Sequence, residues 1–180
     1  WAAALAGHRD LGENYAQELA GKAEFLADRG VDVRWHMIGP VQSNTVKLLA
    51  PLLGWWHTID RAKLVRAVAA RSPGAQVLIQ RNLSGEPNKA GCATDEVEPL
   101  VEAARQAGLE VLGLMGVATE GSAELATAEF ASLVAQADQL GLPERCIGMS
   151  SDLDVALAAG ATTVRLGSML FGSRPGSAHG

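Results

Sequence analysis

Two short loops near the end of the chain carry residue types suited to binding a phosphate group. One loop reads Gly148-Met149-Ser150-Ser151-Asp152 and the other reads Gly167-Ser168-Met169-Leu170-Phe171-Gly172. Each follows a strand-like segment and opens a helical turn, where backbone N–H groups, serine hydroxyls and the helix dipole favour an anion. The alternative is that the serines only cap a helix and Gly167 only turns the chain. The occurrence of both loops favours the phosphate site.

An arginine lies inside the last strand-like segment, Val164-Arg165-Leu166. If Val164 and Leu166 face the helices, the alternation of a strand points Arg165 to the opposite side, into the mouth of the fold. A buried charge without a partner is costly, so Arg165 must either pair with a carboxylate of the fold or contact a ligand. Ligand contact is the favoured interpretation.

The roles of the other polar residues near the strand ends are less well defined by the sequence. Asn14 follows an early strand and could reach a ligand through hydrogen bonds. His36 and His57 lack metal-ligand spacing and are predicted to be core histidines that bond to neighbours. Lys89 is either a solvated surface lysine or a gate over the site. The sequence shows no Ser–His–Asp set, no P-loop and no paired acids at a shared spacing, so we assign no catalytic residue and no metal ligand.

Strand-like and helix-like segments alternate along the whole chain. Several strands are nearly continuous apolar runs such as Val77-Leu78-Ile79, which is typical of parallel strands buried on both faces. Ser122 and Ser151 are predicted to cap helices at their N-termini, and Gly160 is predicted to end the last full helix. Strands are predicted at Arg9–Gly12, Arg34–Ile38, Trp55–Ile59, Gln76–Leu83, Glu110–Met115, Arg145–Met149 and Thr163–Leu166.

These repeated units predict an α/β fold with a parallel sheet, either open and doubly wound or closed into a barrel. The glycine-rich nucleotide fingerprint of the open form is absent, which favours a (β/α)8 TIM-type barrel. Seven strands are counted, and the chain opens at Trp1 within a segment that resembles the second half of a helix. We therefore expect the first strand to precede residue 1, and residues 1–180 to form a single, N-terminally incomplete domain.

Composition narrows the class of protein. The chain has 180 residues, of which 48% are hydrophobic and 19% charged, and this suits a globular fold. A formal net charge of −5 argues against nucleic acid or a membrane surface as a partner. Cys92 and Cys146 have no metal-ligand spacing and are predicted to be buried thiols in a reducing cytoplasm, not a disulfide.

Several motifs together are highly specific. They are Gly12-Glu13-Asn14-Tyr15, His36-Met37-Ile38-Gly39-Pro40-Val41-Gln42-Ser43-Asn44, His57-Thr58-Ile59-Asp60, Leu78-Ile79-Gln80-Arg81-Asn82, Gly113-Leu114-Met115, Gly148-Met149-Ser150 and the stretch from Val164 to Gly172. In this order, the motifs resemble the pyridoxal-phosphate homeostasis proteins of the YggS/PROSC type. The similarity extends to about Arg174.

The resemblance implies an alanine-racemase-like barrel of the fold-type III class, which holds pyridoxal 5'-phosphate (PLP) without established catalysis and serves PLP homeostasis in the cytoplasm. It implies that Ser150 and the backbone at Gly167 and Ser168 hold the phosphate. Arg165 would face the pyridine nitrogen and keep it unprotonated. The remaining cofactor-binding residues would be Asn14, beside the cofactor, and Met149, in the pocket wall.

The sequence departs from the family pattern at two places. The Schiff-base lysine of the family lies in a segment that this chain lacks, so it is expected upstream of residue 1. Lys22, Lys47, Lys63 and Lys89 do not match that motif. Cys146 stands where the family commonly has serine, which removes one hydroxyl contact.

Other functions stay open. An amino-acid racemase on the same barrel is the main alternative to a non-enzymatic carrier, and a site for another phosphate ester is a third hypothesis. Racemases of this type add a C-terminal domain that supplies a tyrosine base, whereas Tyr15 is the only tyrosine here. For the carrier we expect a monomer whose partners are PLP and the apoenzymes that use it.

Overall fold

The computed structural model describes residues 1–172, in which seven parallel strands alternate with helices. The predicted domain end at Gly180 and the end of the similarity at Arg174 lie outside the described residues. The strands are β1 (Asp10–Glu13), β2 (Arg34–Met37), β3 (Leu53–Ile59), β4 (Gln76–Gln80), β5 (Glu110–Met115), β6 (Glu144–Met149) and β7 (Thr163–Arg165). The helices are α1 (Ala2–Leu5), α2 (Ala16–Ala27), α3 (Val46–Leu49), α4 (Ala62–Arg71), α5 (Val97–Gln106), α6 (Ala123–Gln139), α7 (Leu153–Ala159) and α8 (Ser168–Phe171), with a 3-10 turn at Thr94–Glu96 before α5.

The strands follow the chain order in a single sheet, and every neighbouring pair is parallel. Each predicted strand is present, but only β5 has both ends as predicted, and the ends of β3 and β4 differ by more than one residue. β3 begins earlier than predicted, at Leu53, and β4 ends earlier, at Gln80. β4 stops there because the next residue, Arg81, forms only an isolated bridge with Cys92.

The sheet curls into a nearly closed barrel. β3 and β6 are separated by two strands, so in a flat sheet they would lie roughly 14 Å apart. Nevertheless His57 Nδ1 of β3 lies 3.4 Å from Cys146 Sγ of β6. This contact across the interior requires strong curvature. The fold is therefore the parallel α/β barrel that the sequence predicts, with β1 and β7 as the end strands of the described sheet.

The barrel wall separates two apolar regions. The larger region lies between the sheet and the helices, where side chains such as Ile79, Phe130 and Leu133 are fully buried. The smaller lies inside the barrel and contains Leu78, Met115 and Cys146, with Trp55 and Leu112 packed against them. The adjacent residues Leu78 and Ile79 belong to different regions because successive strand residues point to opposite faces.

The helix ends confirm two of the three predicted boundary residues. The Ser122 hydroxyl accepts a hydrogen bond from the Leu125 N–H at the start of α6, and Gly160 ends α7 in the left-handed region with φ of +95°. The prediction for Ser151 is wrong, because α7 begins one residue later and its N-cap is Asp152.

Both cysteines are buried and free, as the sequence predicts. No helix in the described part of the chain combines the length and the apolar character needed to cross a bilayer. The cytoplasmic location, the monomeric state and the single-domain extent stay predictions.

Candidate functional site

The loops after β6 and β7 meet at the carboxyl end of the barrel. The Ser150 hydroxyl accepts a hydrogen bond from the backbone N–H of Met169, with 3.3 Å between the two atoms. Ser150 is half-buried, whereas Gly167 and Ser168 are exposed at the start of α8. The first N–H groups of a helix have no intrahelical acceptor. The Ser150 hydroxyl therefore lies next to the first turn of α8, whose backbone N–H groups are available for hydrogen bonds.

Gly148 and Asp152 shape the loop that carries Ser150. Gly148 has φ of +92°, which side chains rarely adopt, and a Cβ there would lie 2.4 Å from the Cβ of Ala156. The Met149 N–H donates to the Asp152 carboxylate at 2.6 Å. Helix α7 can pack against the loop only because residue 148 is glycine, and this packing fixes the position of Ser150.

Arg165 points into the barrel. Its Nη1 donates to the carbonyl oxygen of Cys146 at 2.8 Å, and its Nη2 donates to the carbonyl oxygen of Gly116 at 2.9 Å. Within residues 1–172 no carboxylate lies at ion-pair distance from this guanidinium. Pairing with a barrel carboxylate, the alternative considered from the sequence, is therefore wrong for the described residues. The guanidinium of Arg165 is instead bound by neutral hydrogen-bond acceptors.

Asn14 and Met149 lie at the same end of the barrel. Asn14 is exposed after β1, and its carbonyl oxygen would lie 2.0 Å from a Cβ on Gly39. Only glycine permits this approach, and the Thr58 hydroxyl fixes the loop by donating to the Gly39 carbonyl at 2.8 Å. Met149 is half-buried and pairs in register with Arg165 on the next strand.

A line of hydrogen-bonded side chains crosses the barrel interior from β1 to β7. His36 Nε2 lies 3.0 Å from Asp10 Oδ1, and His36 Nδ1 lies 2.8 Å from His57 Nε2. Beyond the histidines, Cys146 Sγ lies 3.4 Å from His57 Nδ1 and 3.1 Å from Arg165 Nη1. We call this set of five residues the interior relay: Asp10, His36, His57, Cys146 and Arg165. It connects the start of β1 with the guanidinium at the end of β7.

Burial keeps the middle of the relay uncharged. It lowers the pKa of His57 to about 3, and the charges of His36 and Arg165 act in the same direction. Burial also lowers the pKa of His36, although the bond to Asp10 opposes this shift. The pKa of the Cys146 thiol is raised by burial, against the effect of Arg165. At neutral pH both imidazoles and the thiol are therefore neutral.

The remaining candidates from the sequence lie as follows. His36 and His57 are buried and bonded to neighbours, as predicted. Lys89 is exposed in the loop after β4, where its backbone N–H donates to the Glu86 carbonyl. Among residues 1–172 no group of three or more histidine, cysteine, aspartate or glutamate side chains is placed to hold a metal ion.

Sequence reasoning missed two parts of this arrangement. It did not connect Asp10 and Cys146 with the histidines, and it did not identify the Gly116 carbonyl as an acceptor for Arg165. The contact with Asp10 could have been found, because consecutive parallel strands usually pair and alternation places Asp10 and Gly12 on one face of β1. The second has no sequence signal, since every residue carries a carbonyl.

Comparison with protein families gives a match over nearly the whole chain. A family model described as alanine racemase, N-terminal domain, matches residues 1–175. A pyridoxal phosphate homeostasis protein of Pseudomonas aeruginosa is 42% identical over 178 residues, which cover 94% of this chain and 76% of the relative. A protein of the same name from Escherichia coli K12 is 38% identical over 182 residues, covering 94% and 77%.

Solved structures give the same result. PipY of Synechococcus elongatus, solved with PLP bound, has a TM-score of 0.82 and 30% identity, covering 95% of this chain and 85% of that one. An alanine racemase of Clostridium difficile has a TM-score of 0.74 at 13% identity, covering 97% and 48%, and shows the shared fold alone. The chain therefore belongs to the alanine racemase N-terminal domain family and, within it, to the pyridoxal phosphate homeostasis proteins.

Proposed function

We propose that this protein binds PLP at the carboxyl end of the barrel and holds the cofactor without catalysing a reaction of its own. Two kinds of relative support this function. The homologues of Pseudomonas aeruginosa and Escherichia coli are named for PLP homeostasis, and PipY has been solved with PLP bound. The function also needs a site with matching chemistry.

The observation that carries the proposal is the bond between Ser150 and the Met169 N–H at 3.3 Å. A phosphate dianion needs several donors that converge from different directions, and single amides or hydroxyls bind it weakly. Ser150 supplies a hydroxyl from the β6 loop, while Gly167 and Ser168 supply exposed backbone at the start of α8. The residues present therefore fit the phosphate of PLP.

Arg165 fits the other end of the cofactor. Its guanidinium lies on the barrel interior with only neutral acceptors, so it still carries a full positive charge toward the site. A fixed cation beside the pyridine nitrogen disfavours protonation of that nitrogen. Bound PLP supplies an electron-accepting ring, and an unprotonated ring accepts electrons less well. Arg165 thus favours a held cofactor over a reacting one.

Asn14 and Met149 complete the proposed pocket. The Asn14 amide is exposed at the carboxyl end of β1 and is available for a hydrogen bond to the ligand. Met149 lies in register with Arg165 and offers an apolar surface next to the ring. We assign no covalent role to a lysine within this chain.

Titration with PLP, followed by absorbance or intrinsic fluorescence, tests the binding function. Ser150→Ala removes one charge-assisted hydrogen bond, so we expect the Kd for PLP to rise about tenfold. Ser151→Ala is the matched control, because Ser151 is exposed and adjacent but lies outside the proposed phosphate contacts. Its Kd should stay within about twofold of the parent. Equal Kd values for the parent and Ser150→Ala would contradict the proposed phosphate site.

An assay for amino-acid racemisation tests the non-catalytic part. The rival racemase function needs a base on each face of the bound amino acid, and the sequence offers Tyr15 as its one tyrosine. We expect no racemisation above background with the PLP-loaded protein. Turnover at ordinary enzyme rates, roughly 1 s⁻¹ or faster, would reject the carrier function and favour the racemase.

A further inference from the structure

The interior relay has a fixed direction. At one end Asp10 is a carboxylate, paired also with Arg34 Nε at 2.8 Å, and a carboxylate only accepts hydrogen bonds. At the other end Arg165 only donates. Each group between them has one donor and one free acceptor position when neutral. The two ends therefore determine where every proton in the relay lies.

The order of donors can be followed from Asp10 outward. Because Asp10 accepts, His36 must carry its proton on Nε2 and accept at Nδ1. His57 then donates from Nε2 and accepts at Nδ1, where the Cys146 thiol donates. The Cys146 sulfur is left to accept from Arg165 Nη1. Every link of the relay is satisfied in this one arrangement.

We propose that the interior relay is a positioning device that fixes the guanidinium of Arg165 toward the ring nitrogen of the cofactor. The proposal rests on the proposed function for the identity of the ligand. Arg165 is a long side chain with several rotatable bonds, so holding its head group in one orientation costs conformational entropy that its hydrogen bonds must offset. The Cys146 sulfur adds a third acceptor on the interior side.

The surroundings of the relay support a static role. Trp55 packs against both imidazoles, with ring centroids 5.3 Å from His36 and 5.7 Å from His57. His57 and Cys146 are almost fully excluded from solvent. Hydrogen bonds in such an environment are strong, and leaving one of these groups unpaired is costly. The buried part of the relay therefore resists reorganisation, whereas the Asp10 side chain at its end is 57% exposed.

Passage of protons to the cofactor is a different role that this relay does not suit. Arginine keeps its proton at all pH values at which proteins fold. A proton that moved along the two histidines would stop at Cys146, because Arg165 can only donate into the sulfur. Because Asp10 only accepts and Arg165 only donates hydrogen bonds, the relay suits the positioning of Arg165 and not the transfer of protons.

The ¹⁵N chemical shifts of the imidazole nitrogens test the direction of the relay without any ligand. Both histidines should be neutral at pH 7, with the proton on Nε2 and a pyridine-type Nδ1. A proton on Nδ1 of either ring would overturn the proposal. Because this measurement needs no PLP, it separates failure of the relay from failure of the proposed binding function.

Two substitutions at Cys146 test the connection to Arg165. Cys146→Ala removes both the donor to His57 and the acceptor for Arg165, so we expect the Kd for PLP to rise about three- to tenfold. Rotation of the Arg165 guanidinium, measured from the line shapes of its side-chain ¹⁵N signals, should become faster. Cys146→Ser keeps a donor and an acceptor at this position, and both readouts should return close to the parent values.

Cys92→Ala is the matched control, because Cys92 is also a buried free thiol but lies outside the relay. It should leave both the Kd and the Arg165 signals unchanged. The proposal is overturned if Cys146→Ala binds PLP like the parent, or if the alanine variants at positions 92 and 146 weaken binding equally. It is overturned as well if Cys146→Ser fails to restore binding. A parent that does not bind PLP would reject the proposed function along with this role for Arg165.

Discussion

Arg81 and Arg165 lie near the carboxyl ends of two strands, but they reach opposite faces of the barrel wall. Arg81 follows β4 and reaches α6, where its Nη1 and Nη2 donate to Gln136 and Ser132 at 3.1 and 2.8 Å. Arg165 ends β7 and donates inward to backbone carbonyls and to the Cys146 sulfur. Arg81 is only 7% exposed, whereas Arg165 is half-buried.

The surroundings of Arg81 suit a residue that supports the fold, whereas those of Arg165 suit the proposed recognition of a ligand. The donors of Arg81 end on side chains of a helix, so the residue connects α6 to the sheet. Its Nε is buried without a partner among the described residues, and burial lowers its pKa. Packing is therefore its main contribution. Arg165 is held by two backbone carbonyls and the Cys146 sulfur and stays partly exposed, as the proposed role in ligand binding requires.

Arg81→Ala should destabilise the protein more than any other substitution considered for the two arginines. The substitution removes a buried side chain and leaves Gln136 and Ser132 without their donor. We expect the free energy of unfolding to fall by about 3 kcal/mol, measured by urea denaturation.

Arg81→Met is the control for this prediction. It keeps much of the volume and removes the buried charge, so most of the lost stability should return. PLP affinity of the folded variants should match that of the parent. If Arg81→Ala instead weakens PLP binding while stability is unchanged, the two arginines do not divide their roles in this way.

Much of the fold could be predicted because its signals are local. Apolar runs such as Val77-Leu78-Ile79 identify buried parallel strands, and all seven strands occur at the predicted places. Ser122 caps its helix as predicted, but Ser151 does not, although both are good capping residues. The neighbouring Asp152 is the N-cap and accepts from Met149 instead. Two adjacent capping residues cannot be distinguished from their types alone.

The part of the site that depends on distant contacts could not be predicted. Strand alternation correctly indicates that Arg165 points inward, and the position of Ser150 in the loop after a predicted strand correctly places it at the carboxyl end of the barrel. Two of the three acceptors of Arg165 are the backbone carbonyls of Cys146 and Gly116, which have no residue-specific signal, and the third is the Cys146 sulfur, which only the curvature of the sheet brings to Arg165. The sequence therefore identified the arginine but not what holds it.

The stability of the protein should fall at acid pH, and the cause should be a group on the interior face of the barrel wall rather than one on its outer face. The pKa of His57 is lowered from 6.5 to about 3 by burial and by the charges of His36 and Arg165. Between these values the unfolded state binds a proton that the folded state does not, so stability falls as pH decreases below about 6.5. The slope approaches about 1.4 kcal/mol per pH unit, and the loss at pH 5 is roughly 2 kcal/mol.

Urea denaturation at pH 7, 6 and 5 measures this slope. His57→Gln should flatten it, because glutamine does not titrate. The slope should persist in Arg81→Met, since Cys92 near Arg81 has a pKa raised to about 11 by burial and stays neutral throughout. If the unfolding free energy depends equally on pH in the parent and in His57→Gln, a group outside the barrel interior causes the loss of stability in acid.

Arg165→Ala should change the free energy of unfolding least, and it tests directly whether the two arginines have different roles. The substitution removes the donor to the carbonyl oxygens of Cys146 and Gly116, and water that enters the space vacated by this half-buried side chain can replace it, so stability should change by less than about 1 kcal/mol. If the proposed function holds, the Kd for PLP should rise about tenfold, because the variant lacks the cation that is proposed to face the ring. Arg165→Lys keeps the charge but cannot reach both carbonyls with a planar fork, so we expect an intermediate Kd. If Arg165→Ala instead unfolds without ligand, Arg165 supports the fold as Arg81 does, and recognition of the ring must come from another residue.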